Sequence, residues 1–394
     1  MLTKIIKGFW FLIFFSLTSY AIPEVRIFGI PIPYVLLIIL FPFLIVEYTK
    51  NNKLLLFNIY FILYIILSTI LNILSKSDLD YALRQFLYPL STLVLANFLK
   101  EKYLYTCLFG LYLSTILIFT YGLYGFLTWN IGDPIQHTFG YFGITYLEST
   151  RNGDLVYLIP GLFLSYIFML NFKKKVFKLI NAFSFILFIL AIIANQSRGG
   201  FIVIIFSFVY LYFNKQKYLD KLSLYIKFFF FIFTTFSFFL FLTYFDQNSI
   251  QIIAERFLTI FSTNDNIVST YNSNSDRIDI LIFSLKIFLS NIFGIGITGL
   301  SEKTNGSLFH AENAFVSILV YYGFIGLFLF ISSLYRIKRI ITDNKSSFNK
   351  IIIILFFYFL LIYSLFNLMI DMLPFWLLLG LTSISYNNKI KNEN

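Results

Sequence analysis

His310 to Gly326 reads "HAENAFVSILVYYGFIG", a polar entry followed by an apolar run that closes on two glycines three residues apart. The run continues to residue 334, so the segment 312–334 has the length that crosses roughly 30 Å of hydrocarbon as a helix. Comparable runs recur from one end of the chain to the other, and none alternates like a barrel strand. The fold class that follows is all-α, a polytopic integral membrane protein with about twelve transmembrane helices. Its spans are 8–23, 29–48, 54–74, 81–99, 104–127, 154–171, 177–194, 199–213, 224–244, 312–334, 351–370 and 372–386.

Composition agrees with this reading. Over 394 residues the chain is 59% hydrophobic, 21% aromatic and only 12% charged, with a mean hydropathy of +0.81. A water-soluble domain could not hide that much apolar surface in one core. No soluble domain stands out, and residues 1–394 read as a single integral membrane domain. It carries an external loop at 128–153 and a large external loop at 245–311. Loops of that length are uncommon unless they work.

Lysine and arginine test the span count, because they gather on the cytoplasmic side of short connections. With Lys4 and Lys7 inside, every second connection is basic: Lys50/Lys53, Lys100/Lys102, Lys173 to Lys178, Lys215 to Lys221, Arg336 to Lys350, and the Lys389/Lys391 tail. Both termini are then cytoplasmic. The net charge of +11 is a topology signal, and nucleic acid is not an expected partner. "TSYAIPE" after the first apolar stretch also permits a signal peptide cleaved after Ala21, although an uncleaved first span is the expectation.

The two basic residue types divide by side. All lysines but Lys76, Lys286 and Lys303 fall inside, whereas Arg26, Arg84, Arg151, Arg198, Arg256 and Arg277 fall outside. Topology needs only positive charge; arginine adds a planar fork that grips phosphate or carboxylate at two points. These arginines are candidates for an anionic ligand at the outer face, against the plainer alternative of snorkelling or pairing at helix ends.

Four stretches concentrate the polar residues. "NQSRGGF" at 195–201 puts Arg198 in a short outer turn at the start of a helix, where amides point outward and glycines admit close approach. "STRNGDLVYLIPG" at 149–161 puts Arg151 at the mouth of a span that holds Pro160 and Gly161. "DRIDILIFSLKIFLSNIFGIGITGL" at 276–300 starts with Arg277, is amphipathic at first, and reaches Asn291 and the glycines Gly294, Gly296 and Gly299. An interfacial or half-entering helix fits there, since a full crossing would break the charge alternation. The fourth stretch is the opening one, where Gly323 and Gly326 are expected to allow close packing against a neighbouring helix.

In this order the segments resemble the O-antigen polymerase and ligase superfamily, membrane enzymes that move polyprenyl-pyrophosphate-linked sugar chains. The resemblance rests on "SRGGFIVIIFSF" at 197–208, "DRIDILIFSLKIFLSNIFGIG" at 276–296, "HAENAFVSILVYYGFIG" at 310–326 and, more loosely, 149–161. It implies inverting, metal-independent glycosyl transfer at the outer face of the cell membrane, with no cofactor. It also implies an undecaprenyl-pyrophosphate-linked oligosaccharide as substrate, the lipid bilayer as surroundings, and a chain-length regulator protein as a further partner. Arg198 and Arg277 inherit the grip on pyrophosphate, Arg256 assists, and Arg151, Asn291 and Asn313 are candidate substrate contacts.

One departure bears on the branch. Ligases of the superfamily show His-Asn, nine residues and G-x-x-G; here Asn313, Gly323 and Gly326 fit, but Glu312 precedes the asparagine and His310 lies two positions earlier. Either a carboxylate replaces the imidazole or His310 reaches the same spot, and both can take a proton from a sugar hydroxyl. The mismatch favours a polymerase over a ligase. A lipid-linked-sugar flippase or other transporter is the rival from another class, but it should betray paired halves and broken helices at corresponding positions. His137 in "GDPIQHTFGYFG" and the scattered acids give no zinc spacing, and no P-loop or dinucleotide fingerprint occurs. The one cysteine, Cys107, falls inside a span as packing.

Overall fold

The computed structural model describes residues 2–18, 32–48, 56–75, 79–128, 151–194, 200, 202–203, 206, 274–303, 313–343, 348–365, 367–368 and 370–383. Every regular element among them is helical. In chain order they are α1 (Leu2–Phe15), α2 (Ile32–Tyr48), α3 (Leu56–Leu74), α4 (Leu79–Phe98), α5 (Glu101–Thr128), α6 (Arg151–Asn171) and α7 (Lys175–Ala194). The series continues with α8 (Asn274–Ser290), α9 (Gly296–Lys303), α10 (Ala314–Asp343), α11 (Phe348–Ser364) and α12 (Leu373–Thr382).

Ten of these coincide with predicted spans, while α8 and α9 come from the large loop; the predicted spans 199–213 and 224–244 lie almost wholly outside the described residues. Among the described residues three helices are long and apolar enough to cross a membrane: Lys102–Tyr121, Lys175–Ile192 and Ala314–Arg339. Ile32–Phe43, Ile59–Leu74, Leu155–Met169, Ile352–Ser364 and Leu373–Thr382 are shorter apolar helices.

Two compact units divide the chain. The first comprises Met1–Ile13, Pro33–Cys107 and Tyr271–Asn394, and the second Phe14–Ile32 and Leu108–Thr270. In the second, α6 packs along α7. Gly161 makes this tight: a Cβ there would stand 2.6 Å from the Phe188 ring and 2.9 Å from Thr115 Oγ1.

In the first unit α10 lies along α3, and α12 lies along α4. Their shared core is aromatic. Phe61 meets Trp376 at 5.7 Å between ring centroids, and Tyr64 meets Phe330 at 5.6 Å and Tyr322 at 5.7 Å. Lipid gives helices no hydrophobic reason to associate, so such ring packing and polar links hold them together. Two links anchor α12: Thr92 Oγ1 donates to Trp376 O at 2.7 Å, and Trp376 Nε1 donates to Ile370 O at 2.7 Å.

The eleventh predicted span, 351–370, is shorter in the structure, because α11 ends at Ser364 and α12 starts at Leu373. Pro374 sits in the first turn of α12, the one helical position at which proline's missing N–H costs nothing. The segment between Ser364 and Leu373 thereby becomes a connection rather than the end of a span.

Candidate functional site

The described part of the site lies in the first unit and is built on α8, α9 and α10. Helix α8 ends at Ser290, where the Asn291 amide closes its last turn: Asn291 N donates to Phe288 O at 2.8 Å and Nδ2 donates to Ile287 O at 2.9 Å. The chain then turns through Ile292–Ile295 and starts α9 at Gly296. This turn is set into α10, not laid on its surface.

Helix α10 is broken at Gly323, whose φ is 70° and ψ −172°. The break leaves the Val320 carbonyl and the Phe324 amide without each other. The turn replaces both partners: Ile295 N donates to Val320 O at 3.1 Å, and Phe324 N donates to Ile292 O at 3.0 Å. These two groups at the break are therefore not left stranded, as irregular backbone away from water requires. At 1.5 Å per residue the turn stands roughly 9–15 Å along α10 from its start at Ala314. Helices α8 and α9, joined by this turn, thus form a hairpin whose tip is set into α10 at its Gly323 break.

Gly294 and Gly323 make this approach possible. A Cβ on Gly294 would lie 2.5 Å from Tyr321 O, and one on Gly323 would lie 2.5 Å from Ile292 O. Both also take positive φ, 92° and 70°, which L side chains resist. Packing of Gly323 against a neighbouring helix is therefore corrected: its neighbour is the backbone of a turn. Gly326 does face a helix, with Leu67 Cδ2 of α3 at 3.6 Å from its Cβ position.

At the mouth of α10, Asn313 is the N-cap. Its Oδ1 accepts from Phe315 N at 2.9 Å and Val316 N at 3.1 Å, satisfying two of the amides that every helix start leaves unpaired. Its Nδ2 donates to Leu365 O at 2.7 Å, tying the mouth to the connection after α11.

Behind the hairpin runs a chain of polar groups that sequence reasoning missed. Ile297 N in α9 donates to Asn72 Oδ1 at 3.2 Å, and Asn72 Nδ2 donates to Tyr322 Oη at 3.4 Å. Tyr322 Oη donates to Gln85 Oε1 at 3.3 Å, and Gln85 Nε2 donates to Asp371 Oδ1. Asn72 and Tyr322 are 0% exposed and Gln85 2%. The signal available in the sequence was an asparagine and a glutamine inside apolar spans, since polar residues in such segments mark function or assembly.

The other candidates are placed less fully. Arg277 stands in the first turn of α8 and Arg151 is the first residue of α6, with both side chains outside the described set. Arg198, Arg256, His310 and Glu312 lie outside the described residues altogether. Among the described candidates, Asn291 closes α8 at the turn set into α10, and Asn313 caps the start of α10.

An all-helical protein with membrane-length apolar helices and a helical hairpin seated in one of them belongs to the membrane proteins. Residues 183–331 match the family model Wzy_C, described as O-Antigen ligase. The matched segment contains α8, α9, the first part of α10, and the candidates Arg198, Arg256, Arg277, Asn291, His310, Glu312 and Asn313, but not Arg26, Arg84 or Arg151. It is less than half of the chain, and it supports an O-antigen ligase/polymerase-type function at the level of the superfamily. No curated protein matches the chain.

Proposed function

We propose that this protein is a polysaccharide polymerase of the cell membrane's outer face. It transfers a growing glycan from its undecaprenyl pyrophosphate carrier to the non-reducing-end sugar of a lipid-linked repeat unit. The observation that carries the reading is the match over residues 183–331, a segment that includes the hairpin with Arg277 in its first turn and the mouth capped by Asn313.

In the step itself, the acceptor hydroxyl attacks the anomeric carbon, and the bond from that carbon to the pyrophosphate oxygen breaks with inversion. The electron pair leaves with undecaprenyl pyrophosphate, and the hydroxyl proton passes to Glu312 or His310. Charge grows on the departing pyrophosphate, so guanidinium groups fixed in advance lower the barrier. Arg277 is assigned that ligand, Arg198 is assigned the same one, and Arg256 assists. Arg151, Asn291 and Asn313 contribute to the substrate surface, the last two through the helix ends they fix. The glycosyl pyrophosphate is already activated, so the reaction needs no cofactor or metal.

Glu312 in place of the histidine of ligases supports the polymerase branch. A ligase that hands the glycan to another lipid-linked acceptor is the second reading, supported by the description of the matched family. The test is purified protein in liposomes given a lipid-pyrophosphate-linked repeat unit, with products sized on a gel. A ladder supports the polymerase. Transfer of a single block onto a different acceptor supports the ligase, and lipid crossing the bilayer without any product supports a transporter.

A further inference from the structure

We propose that Asn72 and Tyr322 are positioning residues: the buried chain from Asp371 through Gln85, Tyr322 and Asn72 to Ile297 fixes the depth of the α8–α9 hairpin, and so the station of the donor-binding end of α8. The proposal rests on the assignment of Arg277 to the pyrophosphate. Its physical basis is independent of that assignment.

The hairpin is held at two places. Its tip is paired with α10 through backbone alone, by Ile295 N to Val320 O and Phe324 N to Ile292 O. Gly294 and Gly323 admit that approach in this register, but the pairing bears only on the tip. The second hold is specific. Asn72 Oδ1 takes the Ile297 amide at the start of α9, and Thr298 Oγ1 donates to Ser75 O at 2.7 Å. Both acceptors belong to the last turn of α3 and the residue after it. A hairpin displaced by one residue would lose both bonds and leave buried polar groups behind, which is costly where water is absent.

Tyr322 makes this hold part of a larger unit. It lies next to the Gly323 break, and its hydroxyl stands between Asn72 of α3 and Gln85 of α4. The chain ends on Asp371, in the same connection whose Leu365 carbonyl takes the Asn313 amide. One set of hydrogen bonds thus relates the start of α9 to the connection that also anchors the mouth of α10. Donor-side and acceptor-side segments are set by common partners. Packing alone gives no reason to bury an asparagine, a glutamine and a tyrosine hydroxyl in line across three apolar helices.

The test uses the full chain in nanodiscs, with Cys107→Ser to remove the native thiol and Asp279→Cys on an exposed position of α8. The rate of labelling by a membrane-impermeant maleimide reads the station of α8 without reference to activity. Tyr322→Phe keeps the ring and deletes only the hydroxyl; Asn72→Ser is the second variant, and both are first checked for monodispersity. The expected result is a labelling rate changed about fivefold and a KM for the lipid-linked donor raised about tenfold, with kcat within about twofold. Wild-type labelling and wild-type KM in either folded variant overturn the proposal. Loss of fold in both variants assigns the chain to general stability and overturns it too. If the parent protein forms no glycan product from any lipid-linked oligosaccharide, the functional reading fails instead, and the labelling rates alone decide the positioning claim.

Discussion

Gly294 and Gly323 face one another backbone to backbone, each at positive φ, with Gly323 N 2.6 Å from where a Gly294 Cβ would stand. Through this pair a hairpin tip completes the hydrogen bonding of a helix that is broken to receive it. Neither glycine can give way to a side chain without moving the other's segment.

Gly294→Ala and Gly323→Ala should therefore each destabilise the protein by roughly 2–5 kcal/mol, from positive-φ strain plus overlap with backbone that cannot rotate aside. Gly8→Ala, where a Cβ would meet nothing within 4 Å, should leave stability unchanged. Thermal unfolding followed by fluorescence-detected size exclusion separates the two outcomes; equal melting temperatures for all three would refute the paired-glycine account.

Asn313→Ala removes an N-cap and the partner of the Leu365 carbonyl. The expected loss is about 1–2 kcal/mol. Asn313→Ser should recover the capping part while leaving Leu365 O without the amide. A serine variant no better than alanine would show that the tie to the connection, not the cap, is what holds the mouth.

Arg277→Ala and Arg198→Ala should each lower glycan transfer by about a hundredfold or more if they stabilise the leaving pyrophosphate. Arg277→Lys should restore only part of the rate, since an ammonium lacks the two-point fork. Full activity in Arg277→Lys would reduce that residue's role to simple charge.

Topology is open to direct labelling. In a Cys107→Ser background, Lys174→Cys at the turn between α6 and α7 should resist an impermeant maleimide added to intact cells, and Asn272→Cys in the large loop should react. The reverse pattern would invert the assignment of faces that the lysines give.

The described part of the candidate site was legible only in some of its residues, while Arg198, Arg256, His310 and Glu312 lie outside the described residues. The amphipathic start of 276–300 gave the expectation of one interfacial or half-entering helix, and the structure has two helices there, α8 and α9, joined by a turn. Gly323 and Gly326 were legible as close-approach positions, yet the partner of Gly323 was not, because a G-x-x-G pattern says only that something comes near. Asn313 was read as a substrate contact, and what the structure shows of it is an N-cap tied to Leu365 O. The chain of Asn72, Gln85, Tyr322 and Asp371 went unread because each residue taken alone is one polar group in an apolar run.

The sequence by itself determined that the chain is helical and membrane-borne and where most of its apolar helices run. These follow from local composition: a helix satisfies its own backbone, and its length and charge flanks are written in consecutive residues. Tertiary structure alone decided that Gly294 meets Gly323, that α10 breaks to admit a turn, and that Asn72 and Tyr322 share a hydrogen bond across a separation of 250 residues. Such pairings depend on which helices become neighbours, and hydrogen-bond partners that far apart leave no periodic trace in either segment.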